Sequence, residues 1–189
     1  MEEQTKKKVK PVNSRAKGAG YENVIAKLLS KELAPMNFIR TQGSGARVGG
    51  KNFATIGKMF GEELLKAFVG DVVPTNEREI SLSCRVSVET KFYKEQDHFT
   101  SIMLGKSKVF EWMKESEVDA VKVNKIPIII FKWNNTPNFV ASSCDEFPIE
   151  ATKMTLVRDD GSKIFVATLE ELLKPEYRSF WIKPGSAIL

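Results

Sequence analysis

Apolar residues recur along this chain with two different periods, and together they predict an alternation of helices and strands. Tyr21, Val24, Ile25, Leu28 and Leu29 follow a three- and four-residue spacing, which is typical of a helix with one buried face. Three further segments show similar spacing, and the first helix is expected to end before the next proline. The predicted helices span residues 18–34, 53–69, 102–118 and 168–174.

One segment, 79–93, alternates strictly between apolar and polar residues, which predicts a strand with one face in the core and one exposed. Its apolar face carries Ile80, Leu82, Cys84, Val86 and Val88. Its polar face carries Ser81, Ser83, Arg85, Ser87, Glu89 and Lys91.

Shorter strands are predicted elsewhere from apolar runs bounded by turn residues. They span residues 37–41, 70–74, 126–132 and 138–142. The run 126–132 is apolar throughout, which predicts a central strand buried on both faces. Residues 154–167 are predicted as a hairpin that turns at 159–162. The order of these elements predicts an α/β domain with a mixed sheet flanked by helices.

Charge adds a weak indication of a polyanionic partner. The 189 residues carry a formal net charge of +5. Residues 1–17 hold six basic residues against two acids, and we expect a basic, flexible arm there, followed by a single domain over 18–189. No apolar run reaches the roughly 20 residues of a membrane span. Cys84 and Cys144 have no metal-type spacing, which favours a reducing, cytoplasmic compartment.

Candidate chemistry lies at the end of the alternating strand. Glu89 and Lys91 are two residues apart, so both side chains leave the same face of the strand. Asp71 follows a glycine on the preceding predicted strand. Two carboxylates suit Mg²⁺, and a lysine can orient an attacking water or stabilise developing negative charge. Taken alone, Glu-x-Lys is more typical of a surface strand with a cross-strand salt bridge.

Three short motifs in order resemble known nucleases. Gly70-Asp71 with Glu89-Thr90-Lys91 resembles the PD-(D/E)XK nuclease signature, with a glycine where a proline usually stands. Lys17-Gly18-Ala19-Gly20-Tyr21-Glu22 and Arg40-Thr41-Gln42-Gly43-Ser44-Gly45 are similar to segments of archaeal-type Holliday junction resolvases. The resemblance implies a restriction-endonuclease-like fold, with the C-terminal hairpin and helix as additions. Residues 46–69 form a longer connection than a minimal resolvase has.

The resemblance also implies roles for individual residues. Asp71 and Glu89 would bind Mg²⁺, which Mn²⁺ could replace, with the Thr90 carbonyl as a further ligand. Lys91 would position the water, and Glu22 would reach the metal through water or bind a second ion. Outside the motif, Glu22 would be a solvated helix carboxylate. Ser44 would donate a hydrogen bond to a phosphate near the cleaved bond. The alternative is that Ser44 is an ordinary loop serine. The residues expected at the DNA are Arg15, Lys17, Arg40, Gln42, Ser44, Arg47 and Lys51.

The expected function is therefore a metal-dependent endonuclease that resolves four-way DNA junctions as a homodimer. The alternatives are another PD-(D/E)XK nuclease, of a repair, replication or restriction type, and a catalytically silent DNA-binding module. Met103, Phe110, Trp112 and Met113 spread widely round the helix after the active strand, which makes that helix a candidate dimer interface, although burial by the hairpin would explain them equally. The single histidine, His98, is expected at the surface. The three tryptophans could stack on bases, although core or subunit packing is favoured for Trp112.

Overall fold

The computed structural model describes residues 14–41, 69–75 and 78–186, with the backbone alone at 14, 15 and 78–80. The helices in this part of the chain are α1 (Ser14–Glu32), α2 (Arg78–Ser83), α3 (Phe99–Met103), α4 (Lys108–Lys122), α5 (Leu169–Leu172) and α6 (Arg178–Trp181). The strands are β1 (Phe38–Arg40), β2 (Val72–Pro74), β3 (Val86–Tyr93), β4 (Ile126–Trp133), β5 (Phe139–Ser142), β6 (Met154–Val157) and β7 (Lys163–Thr168).

These strands form one mixed sheet in the order β1-β2-β3-β4-β5-β7-β6. Among them β3 and β4 are parallel, with Glu89 beside Ile129, and the other neighbours are antiparallel. The connection between β3 and β4 carries α3 and α4, as a parallel crossover requires. The predicted α/β class with a mixed, helix-flanked sheet is confirmed.

Helices α1 and α4 cover opposite faces of the sheet, so the sheet has a core on each side. On one face, Ile25 and Leu29 of α1 pack with Val88 and Ile128. On the other, Trp112 and Met113 of α4 pack with Ile129, Phe131 and the hairpin β6–β7. Consecutive residues of β3 and β4 therefore supply side chains to different cores.

The strand predicted over 79–93 is right in its second half and wrong in its first. Residues 78–83 are the short helix α2, and Cys84 makes an isolated bridge with Ile182. A six-residue helix is too short for apolar periodicity to distinguish it from a strand. Here the C-terminal segment decides, because Arg85 donates its amide to Trp181 O and Lys183 donates to Ser83 O.

The polar face of β3 is also not the exposed face that the alternation predicted. Ser87 is 1% exposed, and Glu89 and Lys91 are only partly exposed. The reason is α4, which lies across this face with Ser116 and Ala120 buried. Alternation shows that two faces differ in polarity, but it does not show whether a helix covers the polar one.

Helix boundaries differ at two places. Helix α1 begins at Ser14 rather than Gly18, and the helix predicted over 102–118 is divided into α3 and α4. Gly105, with φ +65°, follows the end of α3, and Ser107 caps α4 by accepting a hydrogen bond from Val109 N. The predicted helix at 53–69 and the predicted arm at 1–17 lie largely outside the described residues.

The second half of the chain follows the expectations closely. Strand β4 is the fourth of the seven described strands, and its residues Ile128–Phe131 are buried. Strand β5 pairs beside it, and β6 and β7 form the predicted hairpin. Helix α5 falls within the predicted 168–174, whereas α6 was not predicted.

Candidate active site

The turn before β2 approaches the backbone of β3 very closely, and glycine makes this possible. Gly70 has φ +116°, and a Cβ placed there would lie 2.7 Å from Val88 O. Asp71 then donates its amide to Val88 O at 2.8 Å. The proline of the motif that Gly70 replaces has its φ fixed near −65°, so it could not adopt this turn.

The docked turn brings the Asp71 carboxylate to the C-terminal half of β3. Its Oδ2 accepts hydrogen bonds from Thr90 N at 2.9 Å and Thr90 Oγ1 at 3.4 Å. Two donors from one residue fix the orientation of the carboxylate. In an extended strand the amide and carbonyl of one residue leave the same side, so the Thr90 carbonyl also points to the side of Asp71.

Glu89 meets Asp71 directly. The pKa of Glu89 is raised to about 8, first by burial and then by the Asp71 charge and a hydrogen bond between the two carboxyl groups, while Lys91 acts in the opposite direction. Two carboxylates at hydrogen-bond distance repel one another unless a proton or a cation lies between them.

Lys91 lies on the same face as Glu89, beneath α4. Its Nζ is 3.3 Å from Oε2 of Glu115, which lies on α4 and is 68% exposed. Asp119, one turn further along α4, adds negative charge near Glu89 and contributes to its raised pKa. The site therefore consists of a partly buried acid pair with one lysine, bordered by two acids of the covering helix.

The donor set fits a hard divalent cation. Asp71 and Glu89 supply carboxylate oxygens and Thr90 a carbonyl oxygen, and Mg²⁺ prefers a few such ligands together with water. No group of three or more histidine, cysteine or acidic side chains suited to a metal occurs among the described residues. The two-carboxylate site thus suits a partly hydrated ion such as Mg²⁺ better than a fully protein-ligated one.

Glu22 and Arg40 lie on the other side of the sheet, in the layer of α1. Arg40 Nε donates to Glu22 Oε2, and both side chains are largely buried. The described contacts therefore bring together Asp71, Glu89, Thr90 and Lys91, with Glu22 held in a separate ion pair. Backbone links the two groups, because Thr41 N donates to Asp71 O at 2.8 Å.

The residues predicted to contact DNA are only partly described. Lys17 Nζ donates to Asn134 Oδ1 at 3.1 Å and lies 3.9 Å from the centre of the Phe92 ring. Arg40 is engaged by Glu22. Gln42, Ser44, Arg47, Lys51 and the side chain of Arg15 lie outside the described residues. Their roles remain predictions.

Aromatic side chains that could have stacked on bases are mostly interior. Trp112 and Trp181 are buried, and Trp181 Nε1 donates to Leu172 O at 2.9 Å. Trp133 is partly buried against Phe131 and Phe139. Core packing therefore replaces stacking for Trp112 and Trp181. His98 is exposed at the start of α3, as predicted.

The proposed interface helix is also largely internal. Trp112 and Met113 are buried within the chain, and Phe110 packs against the same core that the hairpin completes. The alternative account, burial by the hairpin, is correct for these three residues. Met103 is 69% exposed, beside Phe99 at 73% and Leu104 at 65%, so α3 and the residue after it carry one cluster of exposed apolar side chains.

Glu115 and Asp119 were missed by the sequence reasoning. Their four-residue spacing places them on one side of a helix, which could have been recognised once α4 was predicted. Which face of the sheet α4 covers, and hence that these acids border Lys91 and Glu89, follows only from the three-dimensional arrangement.

Comparison with known proteins gives one match. A family model described as "Phage putative PDDEXK endonuclease" matches residues 13–179, a range that includes Glu22, Asp71, Glu89 and Lys91. No curated protein and no solved structure matches the chain. Among the described residues, no helix is both long and apolar enough to cross a membrane.

Proposed function

Because the chain belongs to the phage PDDEXK endonuclease family, a group of nucleases with the restriction-endonuclease-like fold, we propose that it hydrolyses DNA phosphodiester bonds with Asp71, Glu89 and Lys91. One observation carries the proposal. The carboxyl group of Asp71, in the turn before β2, is hydrogen-bonded to that of Glu89 on β3, and Lys91 lies two residues from Glu89 on the same face of β3. A purely structural salt bridge would not need two carboxyl groups in contact.

Asp71, Glu89 and the Thr90 carbonyl are the groups that would hold the metal. When bound, a divalent cation such as Mg²⁺ neutralises phosphate charge and lowers the pKa of water. Thr90 fixes the Asp71 carboxylate through its amide and hydroxyl, so this oxygen is oriented before any ligand arrives. Burial of Glu89 under α4 lowers the local dielectric and strengthens its interaction with charged groups.

Lys91 orients the attacking water and stabilises the negative charge that develops on the phosphate. Glu115 holds the Lys91 ammonium by an ion pair of 3.3 Å at the edge of α4. Because Glu115 is mostly exposed, this pair is weak and can be exchanged for a phosphate oxygen. Glu115 therefore positions Lys91 and still leaves its ammonium group able to bind a phosphate oxygen.

The test is cleavage of a labelled DNA duplex and a four-way junction in Mg²⁺, in Mn²⁺ and in EDTA. We expect cleavage with either ion and none in EDTA, with DNA binding largely retained. Cleavage that continues unchanged in EDTA would contradict metal-dependent hydrolysis. Glu170→Gln, on an exposed acid of α5, is the matched control for variants of the acid pair.

We propose further that the preferred substrate is a four-way junction. Support comes from the two motifs that resemble junction resolvases, Lys17–Glu22 and Arg40–Gly45. The basic arm and the residues around Ser44 would contact phosphates, which position DNA without reading its sequence. Equal cleavage of the junction and of its linear arms would leave a PD-(D/E)XK nuclease of the repair, replication or restriction kind.

A homodimer would give such an enzyme two symmetric cuts. The exposed apolar residues Phe99, Met103 and Leu104 on and beside α3 support an interface there. Light scattering at micromolar concentration tests this, and a strict monomer would contradict it. The remaining alternative, a silent DNA-binding module, predicts DNA binding without cleavage in any divalent cation.

A further inference from the structure

A cavity of about 560 Å³ lies at the opposite end of β3 from the acid pair. It is bordered by the end of α2 and the two residues before β3, by the segment that leads from the end of α4 into β4, by Glu146 and by Lys183 of the C-terminal segment. Its charged lining residues among those described are Arg85, Lys125, Lys183 and Glu146. We refer to it as the lysine pocket.

The charges of the lysine pocket do not balance. Glu146 is engaged by Arg85, whose Nη2 lies 2.5 Å from Glu146 Oε2, and Arg85 Nη1 donates to Ser179 O. Lys125 and Lys183 remain, and neither side chain has an ion-pair or hydrogen-bond partner within the described part of the chain. Among the described residues, two ammonium groups therefore border one cavity without a carboxylate of their own, Lys125 being partly buried and Lys183 exposed.

Lys125 is the more constrained of the two. Its side chain is partly buried, and burial lowers its pKa, as does the Lys183 ammonium, against an opposing influence of the Cys84 sulfur. A partly buried, unpaired cation costs free energy that an anion in the cavity would recover. The arrangement is unfavourable in the free protein and becomes favourable when a negative ligand lies between the lysines.

We propose that the lysine pocket binds a phosphate group through Lys125 and Lys183. A phosphate carries up to two negative charges and several acceptor oxygens, which match two ammonium groups with three donors each. Arg85, at the edge of the pocket, lies four residues before Glu89, which corresponds to roughly 13 Å along an extended strand. A phosphate in the pocket is therefore too far from the acid pair to be the one that is cleaved. The proposal does not depend on the proposed nuclease activity.

Binding of inorganic pyrophosphate, measured by calorimetry on the full chain in divalent-free buffer, tests the pocket itself. We expect one site in the wild type and roughly tenfold weaker binding in Lys125→Gln and in Lys183→Gln, since each loses charge-assisted hydrogen bonds. Lys163→Gln, which alters an exposed lysine at the start of β7, should bind as the wild type does.

The phosphate could belong to the DNA backbone or to a free phosphorylated molecule, and DNA binding separates these sources. If the phosphate belongs to DNA, the double variant Lys125→Gln/Lys183→Gln should bind duplex DNA more weakly in divalent-free buffer. Its plot of log affinity against log salt concentration should then be shallower by about 2. A free phosphorylated ligand predicts loss of pyrophosphate binding with unchanged DNA affinity and slope.

Thermal unfolding guards against a variant that merely misfolds. Pyrophosphate should raise the melting temperature of the wild type but not that of Lys125→Met, which should itself melt no lower than the wild type because a buried, unpaired charge is removed. The proposal is overturned by pyrophosphate binding that survives both glutamine substitutions. It is equally overturned if pyrophosphate does not bind and DNA affinity is unchanged in the double variant.

Discussion

The two ends of β3 both collect like charges, but they relieve the repulsion differently. At the C-terminal end, Asp71 and Glu89 share a hydrogen bond, and burial together with Asp71 raises the pKa of Glu89 to about 8. At the other end, burial and repulsion by Lys183 lower the pKa of Lys125. The sign of the clustered charge is the basis of the two proposed ligands, a cation at one end and a phosphate at the other.

The largest expected effect concerns the acid pair. Asp71→Asn, Glu89→Gln and Lys91→Ala should each reduce cleavage by roughly 10²–10³-fold or more, because each removes a group that stabilises the transition state. Steady-state cleavage of labelled DNA measures this, with Glu170→Gln as the exposed-acid control. The fold should survive, as judged by circular dichroism. Normal cleavage by Lys91→Ala would show that its assigned role is wrong.

A second test concerns the turn that delivers Asp71. Gly70→Ala should destabilise the protein by about 3 kcal/mol, since a Cβ would meet Val88 O at 2.7 Å and φ is +116°. Urea denaturation measures the change. Gly161→Ala is the matched control, because Gly161 also has a positive φ (+83°) but nothing lies within 4 Å of its Cβ position, so strain alone should cost about 1 kcal/mol. Equal losses would mean that the close approach is unimportant.

Neighbouring residues on β3 should separate stability from chemistry. Val88 is 1% exposed in the core beneath α1, and Val88→Ala should cost about 2 kcal/mol through lost burial and a small cavity. Glu89→Gln, one residue away on the other face, should leave stability unchanged or slightly higher. A stability loss in Glu89→Gln as large as that in Val88→Ala would indicate a structural rather than a catalytic carboxyl.

The smallest effect is expected for Glu115→Gln. The ion pair with Lys91 is mostly exposed, and such pairs contribute about 0–1 kcal/mol. Cleavage should therefore fall only a few-fold, chiefly in kcat, because Lys91 is less well positioned. Lys91→Arg in the same background should not restore the rate, since its broader head group changes the geometry. A loss as large as that of Lys91→Ala would make Glu115 a direct participant.

Elements that are determined by neighbouring residues in the sequence were predictable, and those determined by distant segments were not. Long local patterns predicted α1, β4 and the β6–β7 hairpin, because burial of one or two faces imposes a visible period. The strand predicted for residues 79–85 was wrong. Arg85 donates its amide to Trp181 O and Lys183 donates its amide to Ser83 O, and these bonds between segments about a hundred residues apart override the local alternation. No local pattern carries that information.

The candidate site was predictable in its residue types and not in its surroundings. The spacing of Asp71, Glu89 and Lys91 suggested the chemistry, and all three lie together. That α4 covers the polar face of β3 and contributes Glu115 and Asp119 depends on tertiary packing. The lysine pocket was likewise invisible, because its two lysines are 58 positions apart and meet only where the C-terminal segment pairs with Cys84.

Calorimetric titration of Mn²⁺ into the full chain tests the central assignment most directly. The wild type and Lys125→Gln should bind the ion with similar affinity, whereas Asp71→Asn and Glu89→Gln should bind it at least tenfold more weakly, because each removes one of two carboxylate ligands. Binding that is unchanged in both Asp71→Asn and Glu89→Gln would contradict the account of the acid pair as the metal site.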